Sequence, residues 1–282
     1  MDWISRLNEA MDYIEHHLAC EVDAAKAAQI AGCSTYHFQR MFSYIAGVPL
    51  SEYLRRRRMT LAAADLQAGM RVLDAALRYG YESPTAFNRA FQSVHGVPPS
   101  QAQADGAALK AYLPLRFHII IKGDSEMNYR IEKREAFPIV GISAPLSNNL
   151  EENFQAVPQL WGKASMDGTL AQIAALMEGP VMGVLGVSAC GENDDWKYYI
   201  AVATSKEPTP PYERYMVPAA TWAIFPGEGP AASLQELEKR VVTEWLPSSG
   251  YEYGQGPDIE VYISPNPVNA KYEVWIPVVK KN

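Results

Sequence analysis

The chain has 282 residues, enough for two domains that each bury a hydrophobic core. Its net charge of −7 is unevenly distributed, because residues 1–110 hold 11 basic and 11 acidic residues whereas residues 111–282 hold 14 and 21. An acidic surface is repelled by a DNA duplex, so we do not expect the second part to bind DNA itself.

The three cysteines are far apart and have no metal-ligand spacing, and none of the five histidines lies in an obvious triad. The chain begins without a signal sequence, and no apolar run reaches membrane length. There is no phosphate-binding glycine loop. We therefore expect a cytoplasmic protein with reduced thiols and without metal, cofactor or membrane contact.

A repeated unit occupies the first hundred residues. Residues 27–42 and 75–91 each read as an Ala-rich helix, a glycine and a second helix that ends in Arg-x-Phe. Gly32 and Gly80 stand where a left-handed cap is required, which glycine adopts at little cost. The second helices have serine N-caps, predicted at Ser34 and Ser83. This pattern predicts two tandem helix-turn-helix units whose second helices enter the major groove of DNA.

The outward face of each second helix carries side chains that can read bases. Gln pairs with adenine and Arg with guanine, and Tyr contacts a thymine methyl or a phosphate. Helical spacing turns the apolar residues inward and leaves these polar residues outward. The predicted DNA-contacting residues are Thr35, Tyr36, Gln39 and Arg40 in the first copy and Thr85, Asn88 and Arg89 in the second. One such helix alone is equally well explained as a solvated face, but two matched copies favour DNA contact.

Residues 51–66, between the copies, are predicted to form one long helix that fixes the distance between the two DNA-reading helices. Units spaced in this way can occupy successive major-groove segments about 34 Å apart. The four arginines at 55–58 point in several directions around this helix. We expect some to contact phosphates and others to pair with Glu52, Asp65 or Asp74.

Residues 3–99 resemble the AraC/XylS family of transcription regulators, through the runs 32–42, 53–55, 58–60 and 78–83. The resemblance implies that Tyr36, Gln39, Arg40 and Arg89 contact DNA. It also implies a double-stranded operator and RNA polymerase as partners, and a monomer, as in the branch of the family that it matches. The sequence departs from the family after Pro99 and in the second recognition helix, which implies that the second unit reads fewer bases.

Small polar residues at 101–108 mark the end of the first domain. We predict a DNA-binding domain at 1–106, a connecting segment at 107–126 and a second domain at 127–282. Residues 115–121 alternate as a strand would, and His118 within them is expected to pack against a neighbour rather than to act in catalysis.

From residue 127 onward a strand-helix-strand-strand pattern occurs twice. Its predicted elements are 128–143, 150–177, 181–189 and 196–204, then 214–226, 233–245, 258–264 and 271–279. Such a duplication can form one antiparallel sheet with both helices on one side and a groove between the halves. The predicted fold class is therefore multidomain, an all-α tandem helix-turn-helix domain followed by an α+β domain.

The groove is predicted to be acidic and aromatic. Strand alternation turns Glu260 and Tyr262 to one face and Ile259 and Val261 to the other. A carboxylate among rings attracts a lipophilic cation. The candidate ligand-binding residues are Glu260, Tyr262, Trp161, Tyr199, Trp222 and Trp275. Each has a plain alternative, because Trp161 continues an apolar helical stripe and a single glutamate on a strand is more often solvated.

Residues 127–280 resemble the GyrI-like effector-binding domain, through the runs 244–252, 257–262 and 274–278. In some members the glutamate that matches Glu260 binds cationic aromatic compounds. Taken with the first resemblance, this implies a multidrug-sensing transcription regulator controlled by a small molecule, and no catalysis. Two alternatives stay open: a hydrolase of reactive xenobiotics that uses Glu260 and Tyr262, and a domain that serves only as a protein-interaction surface.

Overall fold

The computed structural model describes residues 3–104, 106–117, 126–147, 150–190, 195–264 and 269–281. It divides into two compact units, Met1–Ile119 and Ile120–Asn282. Across these described residues, no helix is long and apolar enough to cross a membrane.

Helices make up most of the first unit as far as residue 102. Its elements are α1 (Trp3–His16), α2 (Ala24–Ala31), α3 (Thr35–Ala46), α4 (Leu50–Gln67), α5 (Val72–Arg78), α6 (Pro84–His95) and α7 (Pro99–Ala102). The pairs α2–α3 and α5–α6 form the two helix-turn-helix units. The long helix α4 joins them, as the sequence predicts.

The turns and caps of both units follow the sequence prediction. Gly32 and Gly80 have φ values of 77° and 80°, in the left-handed region. The hydroxyl of Ser34 accepts a hydrogen bond from the main-chain N–H of His37 at 3.2 Å. Ser83 caps α6 in the same way through Ala86. Both N-cap predictions are confirmed, because caps depend only on residues within one turn.

The four arginines of α4 all bind groups within the helical unit. Arg57 is buried against α1, with its Nη2 2.6 Å from Oε2 of Glu15. The other three bind a glutamate of α4 or main-chain carbonyls: Arg55 and Arg56 bind Glu52, and Arg58 binds the carbonyls of Leu18 and Cys20. The prediction that some of these arginines pair with Glu52, Asp65 or Asp74 is confirmed at Glu52. The two aspartates form ion pairs with arginines outside this run, Asp65 with Arg78 and Asp74 with Arg71.

The predicted strand at 115–121 is absent from its described part, residues 115–117. Here the main chain bonds to side chains rather than to a neighbouring strand. The N–H of Leu115 donates to the hydroxyl of Tyr53, and the N–H of Phe117 donates to Oδ1 of Asn8. Residues 118–121, including His118, lie outside the described residues.

The second unit contains strands and helices in two successive halves. The first half has β1 (Arg130–Arg134), β2 (Phe137–Pro145), α8 (Leu150–Met166), α9 (Thr169–Ala174), β3 (Val184–Cys190) and β4 (Trp196–Ala203). The second half has β5 (Glu213–Val217), β6 (Ala220–Gly229), α10 (Ala231–Arg240), a π-helical turn (Val241–Trp245), α11 (Leu246–Ser248), β7 (Tyr251–Tyr253), β8 (Asp258–Tyr262) and β9 (Ala270–Lys280).

Three predicted elements of this unit are divided in the structure. The predicted strands 128–143 and 214–226 are each split into two strands that pair with different neighbours. The predicted helix 150–177 stops after Met166, because Gly168 takes a left-handed conformation with φ of 82° and breaks the helical path.

The sheet is antiparallel, with strand order β1-β6-β9-β8-β3-β4-β2-β5, and β7 pairs with the end of β9. The order reads the same from either edge when the two halves are exchanged, so the halves are related by pseudo-twofold symmetry. The first strand of each half joins the outer edge of the other half. The central pair is β3 with β8, where Gly186 is the register partner of Glu260.

Both long helices pack on one face of the sheet, as predicted. On the side of the first half, Trp161 of α8 donates to the hydroxyl of Tyr198 on β4. On the other side, the hydroxyl of Tyr272 on β9 donates to Ser233 of α10. Register places Tyr198 and Tyr272 on the face that also carries Glu260.

Candidate nucleic-acid interface and ligand site

The helix α6 presents its predicted DNA-contacting residues to solvent. Thr85, Asn88 and Arg89 are exposed, whereas Phe87 and Phe91 on the opposite side are fully buried. The three exposed side chains therefore lie outside the hydrophobic core that Phe87 and Phe91 help to form. Contact of these three residues with DNA stays a prediction.

The predicted DNA-contacting residues of α3 are less exposed than those of α6. Thr35, Tyr36, Gln39 and Arg40 are half-buried. The Nε of Arg40 donates to the hydroxyl of Tyr44 at 3.3 Å, and its guanidinium lies 5.6 Å from the centre of that ring. A guanidinium held by a neighbouring side chain loses less rotamer freedom when it binds a base or a phosphate.

In the second unit, four side chains form the acid–aromatic cluster: Glu260, Tyr262, Tyr198 and Trp161. Oε2 of Glu260 accepts hydrogen bonds from the hydroxyls of Tyr198 and Tyr262, both at 2.9 Å. The indole N–H of Trp161 donates to the hydroxyl of Tyr198 at 2.9 Å. The rings of Trp161 and Tyr262 meet edge to face, with centroids 4.9 Å apart. Helix α8 is thus linked through Tyr198 to the carboxylate on the central strand.

Burial and the nearby negative charge of Glu260 raise the pKa values of both phenols. For Tyr198 the pKa lies well above its ordinary value, chiefly because burial disfavours the phenolate. The pKa of Tyr262 is raised for the same two reasons. Both hydroxyls therefore stay protonated near neutral pH and act as donors to the carboxylate.

A glycine makes room for this arrangement. A Cβ on Gly186 would lie 2.2 Å from the hydroxyl oxygen of Tyr198 and 2.7 Å from Oε2 of Glu260. Both distances are far below van der Waals contact. Gly186 is not among the residues predicted for this site, although a glycine inside an apolar strand signals the close approach of another group.

Three predicted ligand-binding residues lie on the other face of the sheet. Tyr199 and Trp275 share one register row with Ile259, and Trp222 belongs to the same buried cluster. Their side chains are 6 %, 1 % and 0 % exposed. They are core residues and not part of the acid–aromatic cluster. The tyrosine that contacts Glu260 is Tyr198, one position earlier on β4.

A second buried carboxylate lies on the helix side of the sheet. Glu238 of α10 is 5 % exposed, and it lies about one helical turn from the buried Leu234 on α10 and from the buried Val242 in the π-helical turn. Its charge is one of the causes that raise the pKa of Tyr262. Helical periodicity places this residue among apolar neighbours, so the sequence itself contains a signal for a buried carboxylate here that was not among the predictions.

In the part of the chain that the structure describes, no group of three or more His, Cys, Asp or Glu side chains is arranged to hold a metal ion. What the geometry offers is a part-buried carboxylate, two neutral phenol donors and an indole. Such a set can bind a cation or a polar ligand with aromatic surface.

Comparison with known proteins assigns each of the two regions to a known type of domain. Residues 127–279 match the model of the GyrI-like small molecule binding domain, and residues 27–105 match that of a helix-turn-helix domain. Over 97 residues the chain is 38 % identical to the HTH-type transcriptional activator AarP of Providencia stuartii, covering 34 % of this chain and 72 % of AarP. The chain belongs to the AraC/XylS family and carries a GyrI-like domain.

Two further relatives of this AraC/XylS regulator match different lengths of its chain. The multiple antibiotic resistance protein MarA of Salmonella typhimurium is 35 % identical over 94 residues, covering 33 % of this chain and 74 % of MarA. The right origin-binding protein of Escherichia coli is 24 % identical over 299 aligned positions, covering 99 % of both chains. The AraC/XylS regulator therefore combines DNA binding with a small-molecule-binding domain.

Proposed function

We propose that the GyrI-like domain binds a lipophilic aromatic cation at the acid–aromatic cluster and that this binding controls transcription. The observation that carries the proposal is the double hydrogen bond from Tyr198 and Tyr262 to Oε2 of Glu260. Hydrogen-bond donors favour the ionised form of a carboxylate, and in this proposal Glu260 is the anionic partner of the ligand.

The surroundings of Glu260 favour a cation over a neutral or anionic ligand. The faces of Trp161, Tyr198 and Tyr262 attract positive charge and supply apolar contact. The excess of acidic residues in 111–282 adds a long-range field of the same sign. An anion of the same shape would be repelled by both.

We propose binding without turnover at this site. A general base must present an oxygen to the proton that it removes. Oε2 of Glu260 accepts hydrogen bonds from two phenols, and donors to the ionised form make a carboxylate a weaker base. AarP, one of the relatives named above, is a transcriptional activator, which supports a regulatory role rather than an enzymatic one.

On the DNA side, we propose that the outward residues of α3 and α6 contact the operator: Thr35, Tyr36, Gln39, Arg40, Thr85, Asn88 and Arg89. We further propose that the protein acts as a monomer in the cytoplasm, where it contacts RNA polymerase. For the domain limits we propose 1–106 and 127–282, with a connection at 107–126 whose residues 107–117 pack on the helical unit.

The test compares two ions of the same shape and opposite charge, tetraphenylphosphonium and tetraphenylborate. Isothermal titration calorimetry on the full chain is expected to show binding of the phosphonium and much weaker binding of the borate. Glu260→Gln removes the charge and keeps the shape, so phosphonium affinity should fall about 10- to 100-fold. The control is Glu228→Gln, a change at an exposed glutamate of β6, which should leave affinity unchanged.

Equal affinity for the two ions, or a Glu260→Gln variant that binds the phosphonium as tightly as wild type, would contradict the proposed cation site. Control of DNA binding is tested separately. Reciprocity requires that a ligand which changes DNA affinity have its own affinity changed by DNA by the same factor. Titration of tetraphenylphosphonium with and without a duplex selected by the protein measures this factor, and a factor of one would sink the regulatory part of the proposal.

A further inference from the structure

The segment at residues 106–117, here called the strap, has no helix or strand and yet is fastened along its length to the helical unit. It follows the helix-turn-helix residues, in a region whose composition resembles a linker. Its main-chain groups bond to side chains of α1, α4 and α6. The bonds run from the N–H of Lys110 to His95, from the N–H of Tyr112 to Thr60, from Arg57 to the carbonyl of Tyr112, from the N–H of Leu115 to Tyr53, and between Phe117 and Asn8.

The strap crosses both helix-turn-helix units. It starts at the second unit, where Nδ1 of His95, the last residue of α6, accepts from the N–H of Lys110 at 3.2 Å. It then runs antiparallel to α4, since Tyr112 meets Thr60 and Leu115 meets Tyr53. The described part of the strap therefore ends at the first helix-turn-helix unit, although the second helix-turn-helix unit is the one that precedes it in the chain.

The end of the strap lies against the inner side of the first recognition helix. Phe117 is 6 % exposed, and its ring meets that of Phe42 edge to face, with centroids 6.2 Å apart. Phe42 belongs to α3 and is also in contact with Tyr53 of α4, at 5.4 Å between centroids. The inner face of α3 therefore rests on α4 and on the strap.

A single side chain fixes Phe117 in this position. Asn8 of α1 accepts from the N–H of Phe117 at 2.8 Å and donates to its carbonyl at 3.0 Å. The paired bonds leave the residue little freedom to slide or rotate. Arg116, next to it, makes an exposed ion pair with Asp12, in which the two side chains are 64 % and 49 % exposed.

We propose that Phe117 and Asn8 are positioning residues for DNA recognition by α3. They touch no base themselves. Through Phe42 they set the orientation of α3, and so the direction in which Gln39 and Arg40 leave its outer face. This inference rests on the proposed function, in which α3 reads DNA, and it adds the strap to the machinery that reads the first half of the operator.

The experiment uses the full chain and duplexes that the wild-type protein selects from a randomised library at fixed salt. Dissociation constants are measured for the selected sequence and for each single base-pair change. Gln39→Ala identifies the base pairs that α3 reads, and Asn88→Ala identifies those read by α6. The variants are Phe117→Leu, which keeps apolar volume but loses the ring contact, and Asn8→Ala, which loses both bonds to Phe117.

Both variants are expected to lose discrimination about tenfold at the base pairs read by α3 and to keep it at those read by α6, because one misplaced bidentate contact costs about this factor. Arg116→Ala should behave as wild type. Equal losses at both sets of base pairs would show a general structural role and overturn the inference, as would unchanged discrimination in both variants. If the wild-type protein selects no sequence, the proposed DNA reading itself fails, and the inference fails with it.

Discussion

Each unit of this protein contains a half-buried glutamate that accepts a hydrogen bond from tyrosine, and the two sites differ in the donors that surround the carboxylate. In the helical unit, Glu15 accepts from Tyr53 and also forms an ion pair with Arg57. In the sheet unit, Glu260 accepts from two phenols, which are neutral. An arginine cancels the charge of its partner, whereas a phenol only solvates it. The first site is thereby suited to holding helices together and the second to attracting a cation.

The largest expected effect comes from breaking the first site. Arg57→Ala leaves Glu15 without its cationic partner in a place where the two side chains are 8 % and 16 % exposed. The loss of one partner from such a pair costs about 3–5 kcal/mol. Urea unfolding of the full chain, followed by helical circular dichroism, is expected to show this loss in the helical transition. The control, Arg71→Ala, removes an exposed pair with Asp74 and should unfold as wild type does. Matching midpoints for the two variants would show that Arg57 has no stabilising role.

The second site is expected to be disrupted by a steric clash rather than by the loss of a charge. Gly186→Ala places a methyl group within 2.2 Å of the Tyr198 hydroxyl, so the tyrosine or the Glu260 carboxylate must shift. Overpacking of this kind costs about 1–3 kcal/mol, and the hydrogen bond between the two groups is lost with it. Thermal melts should show reduced stability, and calorimetry should show loss of tetraphenylphosphonium binding.

The matched control is Gly250→Ala, a glycine around which no atom lies within 4 Å of an added Cβ. That variant should bind the phosphonium as wild type does. Full phosphonium affinity in Gly186→Ala would mean that cation binding does not need the carboxylate of Glu260 in its present position over β3. The proposed difference between the Glu15 and Glu260 sites would then not depend on this geometry.

The two units also differ in how far their sequences predict them. In the helical unit the decisive signals are local: Gly32, Ser34 and their repeats fix turns and caps within a few residues. The strap could not be predicted, because bonds from scattered side chains to main-chain groups leave no periodic pattern. The strap is recognised only from the hydrogen bonds that Asn8 and side chains of α4 and α6 make to its main chain, and these residues lie far from the strap in the sequence.

In the sheet unit, alternation within one strand correctly placed Glu260 and Tyr262 on the same side. It could not choose between Tyr198 and Tyr199, because β4 is buried on both faces and both tyrosines fit an apolar environment. The face is decided by pairing with β3, a contact between distant parts of the chain. The same reason explains why Trp275 was assigned to the groove although it lies in the opposite core.

The smallest expected effect concerns the phenols of the second site at alkaline pH. The pKa of Tyr198 in the native protein is raised well above 10 by burial and by the charge of Glu260. A phenol with a raised native pKa contributes full stability below the unfolded pKa near 10, and this contribution is lost as the pH rises toward the native pKa, because the unfolded chain releases its proton first. By pH 11 one such phenol costs about 1.4 kcal/mol.

Tyr198→Phe should therefore lose less stability between pH 9 and pH 11 than wild type does, by about 1.4 kcal/mol, when unfolding is followed by urea titration at both pH values. Trp161→Phe removes the donor to Tyr198 but leaves the phenol in place. Since the native pKa of Tyr198 already lies well above 10 and this bond lowers it, the loss between pH 9 and pH 11 should match that of wild type. If Tyr198→Phe instead showed the full wild-type loss, Tyr198 would be ionising within the native protein at pH 11. Glu260 would then share its site with a second negative charge at alkaline pH, and cation binding would strengthen, not weaken, as the pH rises.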